Sequence, residues 1–139
     1  MNSKHLFTII RISFSLFFIS FLFANCNSSQ AQSAQIKRIG NQELQQILES
    51  KEVHLIDVRT PNEYNQGHLM NATLIDFMQS DFKEKISKLD KSKPIIVYCA
   101  VGGRSQQSLS ILESAGFTEI YDLKRGIRGW LSEGLPVTK

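Results

Sequence analysis

The chain is poor in cysteine, with two in 139 residues. Cys26 lies at the edge of an apolar N-terminal segment, so the rest of the chain contains a single thiol, Cys99. One thiol excludes an internal disulfide framework and a cysteine-rich zinc site, and His54 and His68 do not have metal-ligand spacing. We therefore predict no metal and no cofactor. An unpaired cysteine in an exported protein is a candidate reactive group.

An excess of charge of one sign is also missing. Sixteen Lys and Arg residues oppose thirteen Asp and Glu residues, and two of the basic residues, Lys4 and Arg11, belong to the N-terminal segment. A lysine cluster at residues 83–93 is interleaved with acidic residues, which is typical of a solvated helix face. We therefore expect no nucleic-acid partner.

Residues 12–23 form an apolar run that follows Lys4 and Arg11. The run is short for a membrane-spanning helix and is followed by small and polar residues, which favours a secretory signal, with a retained N-terminal membrane anchor as the alternative. The sequence therefore predicts an exported, periplasmic protein.

Two routes of signal processing remain open. Residues 22–26 are similar to a lipoprotein processing site, although Asn25 stands where a small residue is usual. This route would remove residues 1–25 and anchor the chain to the membrane through lipidated Cys26. Ordinary signal peptidase would instead remove residues 1–31. Residues 26–35 are predicted to form a tether or cleavage region, and residues 36–139 one folded domain.

The folded region alternates short apolar segments with segments of helical periodicity. We predict strands at 36–39, 53–58, 72–75, 94–98 and 119–123, and helices at 41–49, 60–64, 77–89, 105–115 and 127–132. Asn41 is the predicted cap of the first helix. This alternation predicts an α/β fold in which helices cover both faces of a parallel sheet. In such sheets, ligands bind beyond the carboxyl ends of the strands.

Cys99 lies at one such strand end, in a short loop that opens a helix. Main-chain N–H groups and the helix N-terminus stabilise a thiolate there, so Cys99 is the candidate catalytic nucleophile. Gly102 and Gly103 can adopt positive φ, and Arg104 offers a planar fork for an oxyanion. Ser105 is expected to cap the helix and to donate a hydroxyl. The candidate substrate-binding residues are Ala100, Val101, Gly102, Gly103, Arg104 and Ser105.

Five further residues are predicted to support the structure around this loop. Asp57 has the position of an Asx-turn residue, and Arg59 and Glu63 are spaced to form an ion pair across a turn. His68 is interpreted as a hydrogen-bonded structural residue. Trp130 is expected to pack in the core, with a place in the pocket wall as the alternative.

Three ordered motifs resemble those of the single-domain rhodaneses. They lie at residues 55–69, 99–105 and 126–136, and together they span the folded region. The resemblance implies a sandwich around a central parallel sheet. It also implies a sulfurtransferase that moves a sulfane sulfur from thiosulfate or a persulfide donor to a thiol or cyanide through a persulfide on Cys99.

The same loop distinguishes this chain from other enzymes of similar fold. Phosphatases and arsenate reductases of this fold have a longer loop with an acidic residue, whereas four non-acidic residues separate Cys99 from Arg104. Ala100 and Val101 stand where many thiosulfate users carry a cation, so the donor stays open. A sulfur carrier or binding module dedicated to one partner protein is the alternative function. A broad acceptor screen separates the two, because an enzyme accepts many small thiols and a carrier accepts one protein.

Overall fold

The computed structural model describes residues 33–139. The predicted signal, both cleavage sites and Cys26 lie outside the described residues. From residue 33 to the C-terminus, no helix has the length and apolarity that crossing a membrane requires.

Five parallel strands form one sheet in the order β1-β5-β4-β2-β3. The strands are β1 (Gln35–Ile39), β2 (His54–Asp57), β3 (Thr73–Leu74), β4 (Ile95–Tyr98) and β5 (Glu119–Leu123). The helices are α1 (Asn41–Ser50), α2 (Pro61–Gln66), α3 (Phe82–Ser87), α4 (Gly103–Ser114) and α5 (Gly126–Ser132). The predicted α/β fold class is confirmed.

Side chains of the central strand β4 alternate between two hydrophobic cores. Ile96 and Tyr98 pack with residues of α1 and α5, which we call the α1/α5 face. Ile95 and Val97 pack with residues of α3 and α4, the α3/α4 face. Cys99 continues this alternation and belongs to the α3/α4 face, where it is 1% exposed. The register of one buried strand therefore turns the thiol toward α4.

The predicted start of the 77–89 helix and the predicted cap of the first helix are wrong, and local hydrogen bonds give the reason. Asp76 accepts a hydrogen bond from the N–H of Met78 at 2.9 Å, so an Asx turn occupies the start of the predicted 77–89 helix and α3 begins only at Phe82. Gly40, not Asn41, is the N-cap of α1. The Asn41 amide instead donates to the carbonyl of Gly129 at 3.2 Å, which joins α1 to α5.

A buried ion pair closes the turn after β2. Arg59 Nη2 donates to Asp57 Oδ2 at 2.6 Å and to the Gly67 carbonyl at 2.8 Å, and both charged side chains are buried. The Arg59 N–H also donates to Asp57 Oδ1 at 2.9 Å, which confirms the predicted Asx turn. The predicted pair between Arg59 and Glu63 is wrong, because Arg59 is committed to Asp57 and Glu63 lies against another arginine.

Substituting Asp57→Asn tests this pair, because it keeps an acceptor oxygen for the turn and removes the charge. We expect a loss of about 3–5 kcal/mol in the free energy of unfolding, since Arg59 would stay buried without a counter-charge. The matched control is Glu84→Gln, which removes one partner of the exposed pair with Lys88 and should cost less than about 1 kcal/mol. Urea denaturation measures both, and equal losses would contradict the assignment.

Candidate functional site

The Cys99 thiol lies directly beyond the carboxyl end of β4, against the N-terminus of α4. The N–H of Gly102 donates to Cys99 Sγ at 3.1 Å, and the Ser105 hydroxyl lies 3.8 Å from the same sulfur. The N–H groups of Val101 and Ser105 also interact with it. Within the loop, the sulfur is therefore surrounded by several hydrogen-bond donors and by no carboxylate.

This surrounding decides the protonation of the thiol. Burial raises the pKa of Cys99, but the N–H groups of Ser105, Val101 and Gly102, together with the Ser105 hydroxyl, lower it. The net effect holds the pKa of Cys99 below its ordinary value. A lowered pKa favours the thiolate, which is the nucleophilic form of cysteine.

The N-terminus of α5 fixes the orientation of the loop. The N–H of Ile127 donates to the Cys99 carbonyl at 2.9 Å, and the N–H of Arg128 donates to the Ala100 carbonyl at 3.1 Å. Because the C=O and N–H of a peptide unit point in opposite directions, holding the Ala100 carbonyl against α5 turns the N–H of Val101 toward the sulfur.

Gly126 permits this contact between α5 and the loop. Its φ is +52°, and a Cβ at this position would lie 2.2 Å from the Cys99 carbonyl oxygen and 2.8 Å from the Ala100 carbonyl. Only glycine fits both the left-handed backbone and the close approach. Gly126 lies in the third motif but was not among the predicted site residues.

Gly102 has the predicted positive φ, whereas Gly103 and Ser105 differ from their predicted roles. Gly102 is the N-cap of α4 and has a φ of +105°, whereas Gly103 is the first helical residue and does not have positive φ. Ser105 is therefore inside the helix and is not its cap. Its hydroxyl is directed into the sheet edge, toward the sulfur and toward Asp122.

The guanidinium group of Arg104 is bound by a carboxylate of the protein. Its Nη1 and Nη2 donate to the two carboxylate oxygens of Glu63 at 2.7 and 2.6 Å. Glu63 also accepts from Thr60 in the capping box that starts α2. The hydrogen bonds from Arg104, aided by those from Thr60, hold the pKa of Glu63 at about 2. Arg104 is therefore already paired with a carboxylate of the protein, which the sequence did not reveal, although its guanidinium also interacts with Cys99.

Asp122, at the end of β5, is a site residue that sequence reasoning missed. The Ser105 hydroxyl donates to Asp122 Oδ1 at 2.6 Å, and Arg38 Nε donates to Oδ2 at 2.9 Å. Burial raises the pKa of Asp122, although Ser105 and Arg38 oppose this. Ser105 has one proton to share between Asp122 and the sulfur. The signal available in the sequence was an acidic residue near the carboxyl end of a strand.

His68 and Trp130 lie away from the thiol and support the α1/α5 face. His68 stacks on Tyr64 with ring centroids 3.6 Å apart, and its Nδ1 lies 3.1 Å from the Tyr64 carbonyl. Trp130 packs in the α1/α5 core, and its Nε1 donates to the Pro136 carbonyl at 2.8 Å. Across residues 33–139, no group of three or more His, Cys, Asp or Glu side chains is placed to hold a metal ion.

Comparison with known proteins gives one family. Residues 40–133 match the rhodanese-like domain. A protein from Allochromatium vinosum named sulfurtransferase is 30% identical over 93 residues, covering 67% of this chain and 85% of its own length. The thiosulfate sulfurtransferase GlpE of Coxiella burnetii is 32% identical over 94 residues, covering 68% and 86%. The crystal structure of a rhodanese-related protein from Thermoplasma volcanium superposes with a TM-score of 0.65 at 31% identity, covering 73% of this chain and 97% of that one.

Substituting Gly126→Ala tests the coupling between α5 and the loop. The added Cβ must displace the Cys99 carbonyl. We therefore expect the loop N–H groups to move away from the Cys99 sulfur and the pKa of Cys99 to rise. The pH dependence of Cys99 alkylation by iodoacetamide measures this as a shift to higher pH.

The matched control is Gly134→Ala, which has the same left-handed strain at a φ of +71° but open space around the added Cβ. The control should lose about 1–2 kcal/mol of stability and keep the wild-type alkylation profile. Identical profiles in both variants would show that α5 does not orient the loop.

Proposed function

The chain belongs to the rhodanese-like family of sulfurtransferases, and we propose that it transfers a sulfane sulfur through a persulfide formed on Cys99. The observation that carries this proposal is the Sγ of Cys99, which has a lowered pKa and accepts hydrogen bonds from the N–H groups of its own loop. These groups provide for a negatively charged sulfur and include no general acid or base.

The proposed reaction has two steps that need only anion stabilisation. In the first, the Cys99 thiolate attacks the outer sulfur of the donor, an S–S bond forms, and the donor's S–S bond breaks. With thiosulfate the departing electron pair leaves on sulfite, a stable anion that requires no proton. In the second, a thiolate or cyanide attacks the outer sulfur of the persulfide and Cys99 leaves as its thiolate. The loop N–H groups stabilise the negative sulfur throughout.

Two donor classes fit the proposal. Thiosulfate is favoured by similarity to a relative named thiosulfate sulfurtransferase. A persulfide donor, small or protein-borne, is favoured by the loop itself, because Ala100 and Val101 carry no charge and Arg104 is paired with Glu63. Delivery to one dedicated partner protein remains the alternative use of the same persulfide.

Treatment with thiosulfate or a polysulfide should add one sulfur atom to the protein, and a reductant should remove it. Cys99→Ser should abolish this adduct in the intact mass, because serine cannot form a persulfide. The control is Cys26→Ser, which removes the other cysteine and should keep the adduct. A Cys99→Ser protein that still gains the sulfur would overturn the mechanism.

We also propose that the protein works outside the cytoplasm, on the basis of the apolar run at residues 12–23. If residues 1–25 are removed, lipidated Cys26 and the short segment after it would hold the domain at a membrane surface, since two acyl groups plus an amide-linked chain anchor stably. Fatty-acid labelling of the wild type should then be lost in Cys26→Ala. An unlabelled wild type beginning near Gln32 would support ordinary secretion, and a cytoplasmic chain that keeps Met1 would contradict both routes.

A further inference from the structure

We propose that a pocket formed by Val101, Arg125, Arg128 and Gly129 binds the negatively charged part of a small thiol acceptor. This inference rests on the proposed function, because it assigns a recognition site for the molecule that takes the sulfur from Cys99. The pocket has a volume of about 270 Å³ and borders the cysteine loop at Val101, whose side chain is 57% exposed.

The two arginines of this pocket differ from those already described. Arg38, Arg59 and Arg104 each form an ion pair with a carboxylate. Arg125 and Arg128 are exposed, and neither has an ion-pair partner among residues 33–139. Two unneutralised guanidinium groups beside a shallow pocket attract a negatively charged ligand, and their planar forks suit a carboxylate.

Arg125 is held in an unusual backbone conformation at this point. Its φ is +63°, a left-handed value that a side chain makes unfavourable and that glycine would adopt without strain. An outlier of this kind beside a reactive group points to a function for the side chain. The chain therefore keeps an arginine where stability alone would favour glycine.

The Arg125 side chain has a defined path across α5. A Cβ on Gly129 would lie 2.4 Å from Arg125 Cβ and 3.5 Å from its Cδ and Nε, so the absence of a side chain at Gly129 makes room for this arginine. Arg125 Nη2 donates to the Ser132 hydroxyl at 3.2 Å. These contacts position the guanidinium over one side of the pocket.

Arg128 is fixed relative to the loop by its own main chain. Its N–H donates to the Ala100 carbonyl at 3.1 Å. The Arg128 side chain therefore begins close to Val101, the residue after Ala100, which lines the pocket. The same hydrogen bond joins the helix that carries Arg128 to the cysteine loop. A ligand bound by the arginines would be held next to the loop that carries the persulfide.

The size of the pocket favours an organic acceptor. Pockets for drug-sized ligands measure about 300–1,000 Å³, so this pocket suits a smaller molecule with a few more atoms than an inorganic anion. The chemical class that meets the charge, the size and the proposed reaction is a low-molecular-weight thiol bearing one or more carboxylates.

The experiment compares acceptors on protein that already carries the sulfur. Cys99 is first converted to its persulfide with polysulfide, and the intact mass verifies this in every variant. The kcat/KM is then measured for mercaptosuccinate, with two carboxylates, and for neutral 2-mercaptoethanol. The ratio of the two values removes differences in folding and loop reactivity.

The variants are Arg125→Gln, Arg128→Gln and the double substitution, with Lys124→Gln as a neighbouring charge outside the pocket. We expect the ratio to fall about three- to tenfold in the double variant, on the scale of two exposed ion pairs, and to stay near the wild-type value in Lys124→Gln. Added salt should lower the ratio in the wild type and not in the double variant.

Arg125→Gly removes the side chain and also relieves the backbone strain, because glycine adopts positive φ without cost. A lower ratio in this variant cannot be due to misfolding at this position. This variant should raise the melting temperature while still lowering the ratio. A double variant that loads sulfur normally and keeps the wild-type ratio would overturn this inference alone. A wild type that never forms the persulfide would overturn the proposed function instead.

Discussion

Two hydrogen bonds from the N-terminus of α5 to the cysteine loop set the chemistry of the site. They hold the carbonyls of Cys99 and Ala100 against α5. The N–H of Val101, which shares a peptide unit with the Ala100 carbonyl, therefore points the other way, toward the sulfur. The contact between α5 and the loop needs the close approach that Gly126 permits. Cys99 and the helix that orients its loop are therefore distant in sequence but joined by main-chain hydrogen bonds.

Electrostatic pairing divides the charged residues of the sheet edge into two groups. Arg104 is bound by Glu63 and Arg38 by buried Asp122, so these cations add little net attraction for an anion in the loop. Against the effect of burial, main-chain N–H groups and the Ser105 hydroxyl lower the pKa of Cys99. Main-chain dipoles carry no titratable charge, so their part of this stabilisation stays constant with pH. Among residues 33–139, Arg125 and Arg128, at the start of α5, are exposed and have no ion-pair partner.

The two faces of the sheet have separate tasks. On the α1/α5 face, the buried pair of Asp57 and Arg59 and the packing of Trp130 hold the loops after the strands. The α3/α4 face presents Cys99 with Ser105 and Asp122 at its edge. This division explains why Asp57 and Arg59 support the fold while Cys99 belongs to the opposite core.

The sequence by itself determined the order of strands and helices along the chain, the parallel α/β class and the position of Cys99 at a strand end. Apolar periodicity and glycine placement, which carry this information, are local properties of the chain. It also indicated the Asx turn at Asp57, since that bond spans two residues. Only the tertiary structure decided that Glu63 binds Arg104 instead of Arg59, that Ser105 faces Asp122, and that Ile127 and Arg128 hold the loop. These partners are brought together by the order of strands in the sheet and by the alternation of side chains across it. The spacing of residues along the chain does not show which distant residue will form a hydrogen bond with a given guanidinium, hydroxyl or carbonyl group.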